Sequence, residues 1–307
     1  MAILEIKGLK KSFGDKLVID DLAMSIPEHS VFGFVGKNGS GKTTTMRMIV
    51  GLLKPDEGSI EVCGERVVYG QTPTNKYIGY LPDVPEYYGY MRPMEYLNLC
   101  GVITGMPKSL IQERSEELLS LVGLDENDVR KRKISAFSRG MKQRLGIAQA
   151  LLNGPQLLLC DEPTSALDPS GRKEILDVLS KAREKTTVVF STHILADVER
   201  ICDEVAILDE GHIVLSGALD ELKTRYMKNE YAVEFGCSED ALHYCQTLKA
   251  RCKDVMVTAV SDHEINVLLD AGQELWLVQL LVELNIGPVR FEVCEPDLEQ
   301  VFLEVVK

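Results

Sequence analysis

A mostly parallel α/β sheet with helices on both faces, followed by a smaller α+β domain, is the fold this sequence predicts. Three observations carry the prediction. A short apolar run at 30–35, SVFGFV, leads into a glycine loop and then a helical pattern. Further on, apolar segments 157–160, 187–190 and 205–208 alternate with helical segments 171–184 and 193–202. Strands alternating with helices build a doubly wound sheet. Beyond Asn229 the order becomes β-α-β-β-α-β, the pattern of a compact α+β unit.

In chain order, residues 2–6 and 17–26 alternate or run apolar as strands do. From Lys42 to Leu53 the apolar residues Met46, Ile49, Val50 and Leu53 fall at helical spacing. The middle, roughly 92–153, is helical in pattern. A polar stretch without periodicity, 222–229, marks the boundary between an expected domain 1–223 and a second at 224–307. The second domain should hold a strand at 231–235, a helix at 239–250, strands at 254–260 and 264–269, a helix at 272–285 and a strand at 289–294. A last helix should start at Asp297, where Gln300 three residues on completes a capping box.

The 307 residues suit two domains, and a hydrophobic fraction of 45% suits a packed core. The net charge of -13, from 34 basic and 47 acidic residues, argues against a nucleic-acid partner. Lys131-Arg132-Lys133 is the one basic run and reads as a solvated loop. Eight scattered cysteines form no C-x-x-C pair, which gives a zinc site no support and predicts reduced core thiols. The opening MAILEIKGLKK alternates like a strand and has no signal-peptide core. The longest apolar stretch, Leu275 to Ile286, is interrupted by Gln279 and Glu283 and is too short to cross a bilayer. A cytosolic chain follows, with any membrane role supplied by a partner.

The chemistry begins at GKNGSGKTT. Gly36, Lys37, Asn38, Gly39, Ser40, Gly41, Lys42, Thr43 and Thr44 fit G-x-x-x-x-G-K-[ST] between a strand and a helix. Glycines let backbone N–H groups curl around phosphate oxygens, and the helix that follows offers its positive end. Lys42 reaches the β- and γ-phosphates and Thr43 offers its hydroxyl to magnesium. LLLCDEP is an apolar run ending in Asp161 and Glu162, at the sheet edge where ligands bind. Asp161 suits Mg2+ and Glu162 suits the polarisation of an attacking water. A second anion-type helix start lies within FSRGMKQRL, where Ser138 and Gly140 precede three hydrogen-bond donors, Lys142, Gln143 and Arg144.

The order GKNGSGKTT, FSRGMKQR, LLLCDEPTSALD and STH resembles the ATP-binding cassette (ABC) family over roughly residues 2–222. The resemblance implies a P-loop NTPase fold with a helical subdomain at about 90–153, and ATP and Mg2+ as ligands. It implies that Ser138 and Gly140 grip the γ-phosphate of an ATP held by a second subunit. It gives Phe13 to the adenine, His193 to the γ-phosphate, and residues 165–168 (SALD) to communication across the dimer. Two departures stand out. Arg139 replaces a signature glycine, and Asp83, in IGYLPDVPEYYGYM, replaces a glutamine that helps bind magnesium. Asp83 can still ligate magnesium as a hard oxygen donor.

The tail CEPDLEQVFLEVV resembles that of bacterial type-2 ABC exporter ATPases. The implied function is ATP hydrolysis driving transport, in the export direction, through a separate integral membrane permease. The chain would pair with a second ATP-binding subunit, a homodimer in the simplest case, and lie on the cytoplasmic face of the membrane. The competing reading is a soluble ABC-type ATPase acting on nucleic acid or the ribosome. Only 96 residues separate Lys42 from Ser138, without the long coiled-coil insertion of DNA-acting relatives. A phosphate-transferring kinase would leave FSRGMKQR and SALD without roles.

Overall fold

The computed structural model describes residues 2–71, 73–124, 131–252, 255–269 and 272–306. The chain divides into two compact units. One holds the residues up to Leu219 together with those from Phe302 onward, and the other spans Asp220–Val301.

The first unit contains two sheets. The antiparallel one runs β2-β1-β4-β5, from β1 (Ala2–Phe13), β2 (Lys16–Pro27), β4 (Glu57–Val62) and β5 (Glu65–Arg66). Both early strands are longer than the sequence pattern predicts, because β1 pairs with β2 along almost its whole length and with β4 on its other side. The central sheet runs β10-β9-β3-β8-β7-β6. Its parallel strands are β3 (Val31–Val35), β6 (Ile78–Leu81), β7 (Leu157–Asp161), β8 (Thr187–Thr192) and β9 (Glu204–Asp209), with β10 (His212–Ala218) antiparallel at the edge. Every residue of β3, β7 and β8 is buried, which explains why these segments read as unbroken apolar runs rather than alternating ones.

Helix α1 (Lys42–Ile49) is shorter than its apolar pattern implies. The N–H groups of Leu52 and Leu53 both return to the carbonyl of Arg47, so the chain folds back before the pattern ends. The helical middle resolves into α2 (Pro93–Ile103), α3 (Lys108–Leu121) and α4 (Arg139–Leu151), with a 3-10 turn at Ile134–Ala136. Then follow α5 (Pro169–Ala182) and α6 (Leu195–Ile201). Helix α4 lies directly on β6: a Cβ at Gly79 would stand 2.2 Å from the Ala150 carbonyl oxygen.

Lys131, Arg132 and Lys133 are all exposed, as expected of a solvated run, and Arg132 also donates to the Ala136 carbonyl with its guanidinium 5.8 Å from the Phe137 ring centre. One expectation needs correction. The cysteines are all free, but only Cys160, inside β7, is a fully buried core thiol; Cys237 is exposed and the rest are half-buried. Cys63, Cys245 and Cys252 pack against the edge of a core without being sealed inside it.

After α7 (Leu219–Arg225), the second unit contains β11 (Glu230–Phe235), α8 (Ser238–Arg251), β12 (Met256–Ala259), β13 (Glu264–Leu268), α9 (Glu274–Glu283) and β14 (Pro288–Val293). The strands form an antiparallel sheet in the order β12-β13-β11-β14. Helix α10 (Leu298–Val305) follows, and the Asp297 carboxylate accepts the Gln300 N–H at 2.7 Å, as the capping pattern predicts. The apolar stretch from Leu275 folds as α9, a one-sided core helix. Leu277, Leu280 and Leu281 are buried while Leu275 and Val282 face outward. Among the described residues no helix is long and apolar enough to cross a membrane.

Candidate functional site

The loop between β3 and α1 is anchored at both ends. Gly36 N–H bonds the Thr192 carbonyl at 3.2 Å. Gly41 caps α1 with φ of 112°, and a Cβ there would stand 2.4 Å from Ile19 Cδ1, so both backbone angle and space demand glycine. Lys37, Asn38 and Gly39 form an exposed rim; Ser40 is buried, and Thr43 and Thr44 are half-buried at the first turn of α1. Lys42 is 5% exposed. Its Nζ donates to the carbonyls of Gly36 at 2.6 Å and Lys37 at 3.2 Å, and lies 3.1 Å from Glu162 Oε1.

Asp161 and Glu162 stand where β7 ends. Asp161 is buried; its Oδ1 accepts the Ser191 hydroxyl at 2.6 Å, while Oδ2 has no hydrogen-bond partner. Glu162 has φ of 48°, an uncommon conformation for a side chain with a Cβ. Its N–H donates to both the carbonyl and the hydroxyl of Ser191, at 3.1 and 3.0 Å. Its carboxylate bridges Lys42 on one side and His193 Nδ1, at 2.9 Å, on the other. The parallel register of β7 and β8 pairs Asp161 with Ser191 and so delivers His193 to Glu162. Ser191 was visible within STH, but its bridging of Asp161 and Glu162 depends on that register and carries no sequence signal.

Phe13 ends β1 and is 51% exposed, with Lys11 Nζ 5.4 Å from its ring centre. It is therefore an accessible ring and not a core phenylalanine. Ser138 caps α4, its hydroxyl accepting the Met141 N–H at 3.2 Å, and Gly140 faces Leu167 of the SALD segment. Among the described residues no hydrogen bond or ion pair joins Ser138 or Gly140 to the loop at 36–44. Asp83 lies in the loop after β6. Arg139 lies 3.4 Å from its Oδ1, and the buried Gln143 donates to its carbonyl at 2.8 Å. Burial pushes the Asp83 carboxyl above its ordinary pKa; Arg139 opposes the rise, and Asp161 and Glu162 add to it. Gln143 is one of the three donors that follow Gly140 in the sequence, but it turns to the Asp83 carbonyl, a partner that chain order does not reveal.

The structure thus brings together Lys42, Asp161, Glu162 and His193, which come from three separated segments. The family profile described as "ABC transporter" matches residues 19–165. The chain is 36% identical to an uncharacterized ABC transporter ATP-binding protein, YxlF of Bacillus subtilis, covering 99% of both chains. It is 36% identical to the bacitracin transport ATP-binding protein BcrA of Bacillus licheniformis, over 99% of this chain and 97% of that one. A solved dimeric ATP-binding cassette, MJ0796, in a post-hydrolysis state with ADP and Pi, matches with a TM-score of 0.63 and 25% identity, over 70% of this chain and 98% of that one.

The chain belongs to the ABC transporter ATP-binding family. This ATPase binds and hydrolyses ATP as the energy-supplying subunit of an ABC transporter, which sets aside the soluble reading on nucleic acid or the ribosome. Its two-sheet first unit is the P-loop NTPase fold of such subunits. The donors present also fit a magnesium ion. Asp161 Oδ2 is a buried, unpartnered carboxylate oxygen, and the Thr43 hydroxyl belongs to the first turn of α1. No group of three or more His, Cys, Asp or Glu able to hold a metal exists among the described residues. Magnesium is commonly held by one or two carboxylates together with substrate phosphates, and this donor set suits that mode.

Proposed function

We propose that this ATPase works as a head-to-tail dimer beneath an integral membrane permease, on the cytoplasmic face, and powers export. The loop Gly36–Thr44 cradles the phosphates of ATP, Phe13 stacks on the adenine, and Ser138 with Gly140 of the second subunit grips the γ-phosphate. The observation that carries this reading is the division of phosphate-binding groups within one chain. Ser138 and Gly140 head α4, and their contacts run to Met141 and Leu167, not to the Gly36 loop. A second chain gives both halves a ligand in common. The bacitracin transport relative, which matches over nearly its whole length, supports the transport reading, and a Nod factor export ATP-binding protein of Ralstonia nicotianae, 34% identical over 76% of this chain, supports the export direction.

Within each site Glu162 accepts a proton from water in line with the γ-phosphate. His193 orients the Glu162 carboxylate through Nδ1, and Lys42 with the loop amides holds the developing phosphate charge. Thr43 and Asp161, with Asp83 nearby, would hold Mg2+, which would supply positive charge to the bound phosphates. ATP favours the closed dimer only through contacts that exist in the closed state, so hydrolysis releases it.

The test is physical association. The tagged chain, expressed with its neighbouring reading frames, should carry a multi-span membrane protein through purification. The Glu162→Gln variant should sediment as a dimer with ATP and as a monomer without it. A monomer that splits ATP at full speed under dilution would sink the shared-site reading.

A further inference from the structure

The tail CEPDLEQVFLEVV is the one sequence motif to which the site gives no work. Residues from Phe302 onward pack with the first unit. Helix α10 buries Leu298 and Val301 and half-buries Phe302 and Val305, the i, i+3, i+4, i+7 stripe of an amphipathic helix. Glu299 and Leu303 face outward. The Phe302 ring meets a charge there. Lys37 Nζ lies 5.9 Å from its centre, within reach of the attraction between a cation and an aromatic face. Asp209 Oδ1 lies 4.0 Å from the same Nζ.

Lys37 is the second residue of the phosphate loop, and its backbone belongs to the cradle. Its carbonyl accepts the Ser40 N–H and Lys42 Nζ, both at 3.2 Å. An ionised phosphate oxygen is a stronger acceptor for an ammonium than a neutral carbonyl. A phosphate in the loop therefore competes with the Lys37 carbonyl for Lys42.

We propose that Phe302 is a positioning residue of the nucleotide site, holding the Lys37 rim of the phosphate loop from the C-terminal tail. The tail steadies residue 37 in the empty loop, and with it the carbonyl that holds Lys42. When ATP draws Lys42 away, residue 37 loses a hydrogen bond and the seat of Phe302 changes. The Lys37 side chain is 64% exposed, so water keeps the contact weak enough to open and close. This inference rests on the reading that Gly36–Thr44 cradles ATP, and is independent of the dimer.

Fluorescence and binding on the full chain, kept dilute, test it. Trp276 is the only tryptophan, so the difference between Phe302→Trp and the parent isolates the signal at position 302. ATP with Mg2+ should change that difference, with the midpoint found for ATP binding. A signal indifferent to bound ATP overturns the proposal. Phe302→Ala should weaken ATP binding by about 2- to 5-fold, the range of an exposed cation–ring contact. Phe302→Leu keeps an apolar side chain without an aromatic face and should weaken binding as the alanine does, whereas Phe302→Trp should bind at least as tightly as the parent. Parental affinity in Phe302→Leu reduces the contact to packing and overturns the proposal. In a Lys37→Met background, Phe302→Ala should add nothing; additive losses overturn the link. The effect should fall on KM more than on kcat, with urea midpoints unchanged in Phe302→Leu. A parent that fails to bind ATP defeats the reading of the loop itself, whereas a binding parent with indifferent variants defeats only the role of the tail.

Discussion

Lys42 Nζ and Glu162 Oε1 lie 3.1 Å apart, both side chains almost wholly buried. Lys42 keeps two further acceptors, the carbonyls of Gly36 and Lys37, so neutralising Glu162 leaves the lysine bonded. Glu162→Gln should therefore fold normally and bind ATP. Its turnover should fall by about 10²–10⁴, the usual loss for a general base, or about 3–5 kcal/mol in barrier. Phosphate release measured under saturating ATP checks this, and the parental rate would remove Glu162 from its role.

Phe13 offers an exposed ring at the end of β1, and little packing depends on it. Phe13→Ala should leave the denaturation midpoint unchanged and weaken ATP binding by about 5- to 150-fold, the worth of one base stacked on an aromatic ring. Phe13→Trp should retain affinity. Titration with a fluorescent ATP analogue measures both; tight binding by the alanine variant would release Phe13 from the adenine.

Asp56 ties β1 to the start of β4. Its carboxylate accepts Lys11 Nζ at 2.8 Å and the Ser12 N–H at 2.7 Å. The Lys11 and Ser12 bonds hold its pKa below the ordinary carboxylate value of 3.8. A depressed carboxylate adds stability that is present above the unfolded pKa and is lost as pH falls through the folded one. Asp56→Asn should therefore be less stable than the parent at pH 7, and the gap should close below the pH where Asp56 protonates. Urea midpoints across pH 2–7 test the sign; a gap that widens in acid contradicts it.

Gly79 lets α4 lie on β6. A Cβ there would come 2.2 Å from the Ala150 carbonyl oxygen, a backbone atom that cannot turn aside. Gly79→Ala should cost about 1–3 kcal/mol, the range for overpacking a filled core. Because the helix carrying Ser138 is displaced, ATP-induced dimerisation should weaken as well. Chemical denaturation and sedimentation read the two effects, and a variant with parental values in both would show that α4 can shift freely.

Much of the site was legible before any fold was known. A phosphate loop is a contiguous piece of chain with fixed backbone demands, so GKNGSGKTT announces itself through its glycines and lysine. Asp161 and Glu162 were legible because a buried parallel strand shows as an apolar run that stops at its carboxyl edge. The small second unit was legible from alternation and helical spacing, which depend only on local geometry.

Other relations depend on register and packing across long stretches of chain. The pairing of Asp161 with Ser191 comes from the alignment of β7 with β8, and from it follows the meeting of Glu162 with His193. Asp83 and Arg139 each read as a lone departure; only α4 lying on β6 makes them neighbours. Residue type and spacing along the chain determined which groups are available for phosphate chemistry. Tertiary structure decided which of them touch, because hydrogen bonds and ion pairs form through space over a few ångströms, and chain order does not encode those distances.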